Sequence, residues 1–231
     1  MLLLSGPRWF YGLDYLFEIV ALFITLFIAL YTIRIFFLAW DRKYLYLTFA
    51  FLSISASFAI RAAMDWFIYR DLVPNLPNLT KAVSVVAAPA TLHVLGVLIS
   101  SFLLLSGYLL ILAVLLGIKD SKMVLGIEAV LVLITVFAPF IFDNIVHFLV
   151  MVHLALIVML VIISIRLSQN YIKRKTTNSL LVLAAISSIL LAQVSYFIIP
   201  YINQYLYAIG HSLQLLGYLL LLANMLLVFR K

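Results

Sequence analysis

The stretch that decides the fold is the last one, Tyr207–Lys231, YAIGHSLQLLGYLLLLANMLLVFRK. It is long and apolar enough for one bilayer crossing, yet one narrow stripe of it is polar. At 100° per residue, Asn203, Tyr207, His211, Gln214 and Tyr218 fall within about an 80° sector. Lipid can satisfy none of these groups, so the stripe is expected to face other protein or a wet cavity.

The rest of the chain has the same character. Of 231 residues, 67% are apolar and 10% charged, with a mean hydropathy of +1.26; soluble domains are roughly 25% charged. Bilayer is the solvent that fits this composition. The absence of cysteine excludes disulfides, thiolate metal ligands, iron–sulfur clusters and cysteine nucleophiles. No cleavable signal peptide is expected, so the first span directs insertion itself. The formal net charge of +7 sits in short loops between apolar runs. That is an orientation signal, and no nucleic-acid partner is expected.

Seven crossings are expected, at about 15–39, 44–69, 90–118, 122–142, 144–169, 178–199 and 203–229, in one all-α transmembrane domain covering 1–231. The turn Trp40–Lys43 joins the first two, and a Pro- and Asn-rich loop follows at Asp71–Lys81. Pro89 is expected to divide the long apolar run from Ala82 into an interfacial piece and a span. Pro139 falls near the end of the fourth span, Asp143 is expected to cap the fifth, and Pro200 stops the sixth. Odd-numbered connections and the C-terminus hold eleven basic residues, among them Arg42, Lys43, Lys173, Arg174 and Lys175; the N-terminus and even-numbered connections hold Arg8, Arg70 and Lys81. The positive-inside rule then puts the N-terminus outside and the C-terminus in the cytoplasm, as a multi-pass protein of the cell membrane. Trp9, Phe10, Tyr11 and Tyr15 suit an outer aromatic belt, and Asn78-Leu79-Thr80 matches a glycosylation sequon on that side.

Polar residues gather at one depth. With a 1.5 Å rise per residue, Glu18, Arg61, Asp65, His93, His153, Gln193 and His211 lie roughly 5–15 Å below the outer boundary. Charged groups at that depth need a partner or water. Ser53, Ser57, Arg61 and Asp65 share one face of the second span. There Arg61 is positioned to pair with Asp65 or with Glu18, either as an ion, proton or anionic-ligand site or as a network pinning two helices. With Tyr207, Gln214 and Tyr218 these residues form the expected pocket, open to the outside, for a small ligand, ion or proton in transport or sensing.

Two other readings stand beside it. His93, His153 and His211 would suit zinc if their spans face a common interior, and two of them would suit a haem iron. No HExxH, HxxxH or CxxCH pattern supports either, and no catalytic set is assigned. His147 is expected to be a wet surface histidine. The last reading is a non-catalytic subunit docking to a membrane-protein partner or to its own copies through Gly96, Ser100, Gly107 and Gly210.

Ser106-Gly107-Tyr108-Leu109-Leu110 resembles Leu216-Gly217-Tyr218-Leu219-Leu220, and Ile33-Arg34-Ile35 resembles Ile165-Arg166-Leu167. These matches suggest two three-helix units in one orientation with the fourth span as connector, a 3+1+3 parallel repeat. The pattern is similar to the SWEET sugar transporters, but the proline of their first span in each unit is missing here. Seven spans with an outer N-terminus resemble the microbial rhodopsins, which carry retinal on a lysine of the last helix. This last helix has no lysine before Lys231, which excludes a retinal Schiff base. Seven-span zinc hydrolases of the adiponectin-receptor kind need HxxxH there, whereas His211 stands alone. Presenilin-type proteases need YD and GxGD, and neither occurs.

Overall fold

The structure, a computed structural model, describes residues 7–10, 12–72, 87–118, 121–141, 145–199 and 205–229. Among them are a 3-10 turn, Arg8–Phe10, and seven α-helices with no strand. We number these α1 (Leu13–Ala39), α2 (Arg42–Leu72), α3 (Ala87–Leu116), α4 (Ser121–Ile141), α5 (Ile145–Arg174), α6 (Thr177–Ile198) and α7 (Tyr205–Phe229). Six of them, all but α4, are long and apolar enough to cross a membrane.

The distribution of side chains is the reverse of a soluble protein's. Phe23, Phe27, Leu30 and Phe37 on α1 and Leu133 and Val136 on α4 are exposed. Thr25, Ser57, Ser101 and Gln193 are fully buried. Several hydroxyls inside the bundle donate to backbone carbonyls, while the buried Ser101 and Ser164 hydroxyls have no partner among the described residues. Within a helix, Thr25 Oγ1 donates to the Ala21 carbonyl at 2.8 Å. Between helices, Ser57 Oγ donates to the Ser100 carbonyl and Ser188 Oγ to the Leu213 carbonyl, each at 2.7 Å. Where the surroundings offer no hydrogen bonds, such internal partners are the available ones.

The helices pack as α1 on α2, α2 on α3, α5 on α6 and α6 on α7; smaller contacts join α1 to α7 and α3 to α5, and α4 rests on α3. Two tight hairpins set this order. Trp40 and Lys175 both adopt the left-handed conformation (φ 51° and 48°), and their N–H groups donate to the Phe36 and Tyr171 carbonyls at 2.8 and 2.7 Å. In each hairpin the next residue caps the following helix. Asp41 Oδ1 accepts from the Lys43 N–H at 3.0 Å, and Thr176 Oγ1 from the Ser179 N–H at 3.3 Å. Hydrogen bonds from the Lys43 side chain and then its backbone hold the Asp41 carboxyl below the usual carboxylate range. The end of α3 needs a glycine: Gly117 sits at φ 68°, where Gly117 N–H reaches the Val114 carbonyl and Ile118 N–H the Ala113 carbonyl.

Several expectations change. The turn Trp40–Lys43 shortens to two residues because α2 starts at Arg42, and α5 continues past Gln169 to Arg174. Lys173 and Arg174 thus occupy its last turn, where cations oppose the helix dipole favourably. Pro89 lies in the first described turn of α3, and the run from Ala82 that it was expected to divide lies outside the described residues as far as residue 86. The sequon at Asn78, the cap at Asp143, Pro200, and Asn203 of the terminal stripe lie outside the described residues.

Close approach between helices rests on glycine. A Cβ on Gly107 would sit 2.5 Å from Ile54 Cγ1 and 2.8 Å from the Ala50 carbonyl oxygen. One on Gly217 would sit 2.4 Å from Ile189 Cγ1 and 2.8 Å from the Ala185 oxygen. A Cβ on Gly126 of α4 would meet nothing within 4 Å. Gly107→Ala and Gly217→Ala are therefore each expected to destabilise by about 1–3 kcal/mol. Gly126→Ala should be neutral or raise stability by up to about 1 kcal/mol. Thermal unfolding of the three variants checks this; equal effects at all three positions would contradict the packing.

Candidate functional site

One end of the bundle, the end away from the two hairpins, collects the titratable groups. Asp14 and Glu18 lie one turn apart on α1 and are both only 4% exposed. Arg61 and Asp65 lie one turn apart on α2, half-buried. Glu18 and Asp65 lie within hydrogen-bond reach of each other across the α1–α2 contact. The sequence led to the expectation that Arg61 pairs with Asp65 or with Glu18, and neither ion pair forms within 4.0 Å. Among the described residues the one ion pair is Lys43–Asp41, at 2.8 Å in the first hairpin.

The terminal stripe turns inward. His211, Gln214 and Tyr218 on α7 are buried and Tyr207 is half-buried. They meet a residue that sequence reading passed over, Tyr196 of α6. Its ring packs on His153 at 5.4 Å, on His211 at 5.3 Å and on Tyr207 at 6.3 Å between centroids. Its hydroxyl donates to Gln214 Oε1 at 2.9 Å. Gly210 makes this possible, because a Cβ there would lie 2.6 Å from the Tyr196 ring. Beside it His153 Nδ1 faces Gln193 Oε1 at 2.8 Å. An amide oxygen only accepts, so Nδ1 donates and Nε2 is left as an acceptor. The available signal was position: Tyr196 follows Gln193 by three residues and so shares its face.

Phe10 is the second residue missed. Expected in an outer aromatic belt, it is instead 2% exposed, because the 3-10 turn (Phe10 N–H to the Pro7 carbonyl, 2.9 Å) points it inward. It covers Phe17, Tyr207 and His211 at 5.6, 6.0 and 5.8 Å. Tyr207 in turn packs on His211 at 4.4 Å and reaches Asp14 Oδ2 at 3.5 Å. At the other limit of the cluster Tyr108 of α3 meets Tyr218 of α7, hydroxyl to hydroxyl, at 2.8 Å. Phe58 stands edge-on to the Tyr218 ring at 5.4 Å. The cluster thus lies between an aromatic cover and a tyrosine floor.

Some polar atoms here are without a partner. Glu18 Oε2 and Gln214 Nε2 are buried and have no hydrogen bond. A buried polar group left so costs about 1–3 kcal/mol. Arg61, half-buried beside them, makes no ion pair among the described residues. The expected histidine set is only partly in view, since the side chain of His93 lies outside the described residues. Among those described, no three His, Asp or Glu side chains group to hold a metal ion. His147 is exposed. Gly96, Gly107 and Gly210, expected as docking positions, face Met64, Ile54 and Tyr196 inside the bundle.

The tyrosine floor is open to a direct test. Tyr108→Phe or Tyr218→Phe should each cost about 1–2 kcal/mol, because one buried hydroxyl is then unpaired. The double variant should cost less than the sum of the two, and a thermodynamic cycle on thermal or denaturant unfolding gives the coupling. Additive effects would mean the hydroxyls do not pair. No protein-family model, curated protein or solved structure matches this chain.

Proposed function

We propose that this chain is a seven-span protein of the cell membrane, N-terminus outside and C-terminus cytoplasmic, which binds a proton or a small anionic ligand between α1, α2, α6 and α7 for transport or sensing. The observation that carries this is a pair of buried polar atoms without a hydrogen bond, Glu18 Oε2 and Gln214 Nε2, at the end of the bundle where Arg61 stands half-buried and outside any ion pair. Groups of this kind at membrane depth mark ion and proton paths, because burying them without a partner is costly. Arg61 supplies the positive charge for an anionic group, and the Glu18–Asp65 pair supplies the exchangeable proton. Tyr207, His211, Tyr196 and Gln214 line the way between Asp14 and the tyrosine floor, each able to give or take a hydrogen bond. Entry from outside requires Phe10 to move.

The same reading takes α4 as the fourth span and as a connector between two like-oriented units, α1–α3 and α5–α7. Support comes from constant spacing. Trp40 and Lys175, Ala50 and Ala185, and Ile54 and Ile189 play matching roles 135 residues apart. Gly107 and Gly217, and Tyr108 and Tyr218, do so 110 apart. Over 99–116 and 209–226, ten of eighteen residues are identical at that second spacing.

Two measurements test the proposal. The chain has no cysteine, so Trp9→Cys, at an exposed position near the N-terminus, and Lys173→Cys report sidedness cleanly. An impermeant thiol reagent should label the first from outside and the second from inside, and the reverse pattern would sink the orientation. For the site, the protein is placed in vesicles containing a pH-sensitive dye and screened with chloride, phosphate and amino acids. Native protein should show a proton flux or an anion-dependent rise in melting temperature, and Arg61→Gln and Glu18→Gln should lower that response tenfold or more, on the order of 1.4 kcal/mol. No response in native protein, or an equal one in both variants, would remove the reading.

A further inference from the structure

Below the tyrosine floor, toward the hairpins, the bundle holds a second space of a different kind, partly open at the helix surface. It has a volume of about 180 Å³ and apolar walls from α2, α3, α5, α6 and α7. Its polar edge is formed by Tyr108 and Tyr218, whose hydroxyls bind each other. Interiors of folded chains are packed as densely as organic crystals, with few voids larger than a water. A wholly apolar void does not attract water, and one of about 150 Å³ binds benzene. This space is larger, and it is elongated: the lining runs from Leu47 to Ile54 on α2 and from Val182 to Ile189 on α6. Seven residues of helix make it about 10 Å long, parallel to the helix axes.

The walls are matched across the bundle. Leu47, Phe51 and Ile54 line one side and Val182, Ile186 and Ile189 the other. Each pair is 135 residues apart, the spacing at which the two hairpins correspond. The space therefore lies between corresponding faces of the two helix pairs.

We propose that this space is a binding site for a single alkyl chain, seated between α2 and α6 with its end against the Tyr108–Tyr218 pair. An extended hydrocarbon chain has the required shape and needs no hydrogen bond along its length. Its gain on leaving water, or on replacing a void, is the contact it makes with closely packed walls. The site is chemically independent of the polar cluster above the floor, so either can fail without the other. Occupancy would touch five helices at once and hold the two hairpins at a set distance.

The test uses the full chain in a fluorinated surfactant, whose tails mix poorly with hydrocarbon, with decane, decanoic acid and a ten-carbon lysophospholipid as probes. At saturation decane should raise the melting temperature of native protein by about 5 °C. Val182→Phe and Leu221→Phe, which fill the space from two walls, should abolish that rise. An added response to decanoic acid points to free fatty acids as the source of the chain, and one to the lysophospholipid points to lipid tails. No shift with any probe, or equal shifts in native protein and both variants, overturns the proposal. Should the variants not fold, a diazirine-bearing decane mapped by peptide mass spectrometry decides. Label on the lining segments 47–54, 108–115, 163–167, 182–189 and 218–221 supports the site, and label confined to segments outside them refutes it.

Discussion

The structure depends on one constraint: a polar group that faces hydrocarbon finds no hydrogen-bond partner there, so its partner must be within the bundle. The fold follows from it at every scale. Serine and threonine hydroxyls turn back on carbonyls of their own or a neighbouring helix. The stripe of α7 faces α6 and α1, while leucine and phenylalanine cover the outside. Partners run short at Glu18 and Gln214 in the candidate site, and also at Ser101, Ser164 and Asn224 elsewhere in the bundle.

Tyr196 and the Tyr108–Tyr218 pair divide that interior. Tyr196 gathers two histidines, a tyrosine and a glutamine around one ring and one hydroxyl. The tyrosine pair closes the polar region with a bond between two hydroxyls, so the walls beyond it carry no unmet polar group. A tyrosine suits both positions because one face of it is apolar and its tip is not. Replacing either hydroxyl would expose polar atoms to an apolar wall, which is why the two regions stay chemically separate.

Glycine explains how the helices come near enough for these contacts. Gly107, Gly210 and Gly217 each lie where a methyl group would enter a neighbouring side chain. Such positions read in the sequence as docking faces of the whole protein, because small residues at helix surfaces favour close contact. The contacts they make are internal, and periodicity alone does not tell one helix neighbour from another.

By itself the sequence determined which segments are helical, because runs of apolar residues between Pro, Gly, Asn and charged turns leave few alternatives. It determined too that the stripe Tyr207, His211, Gln214 and Tyr218 shares a face, since 100° per residue is a property of one helix. Only the tertiary structure decided who meets whom. Glu18 lies against Asp65, Arg61 stands apart from both as an ion pair, Phe10 leaves the surface, and Tyr108 finds Tyr218 from 110 residues away. Local pattern gives a direction within each helix; the rotation of one helix against another is set by the packing of all of them together.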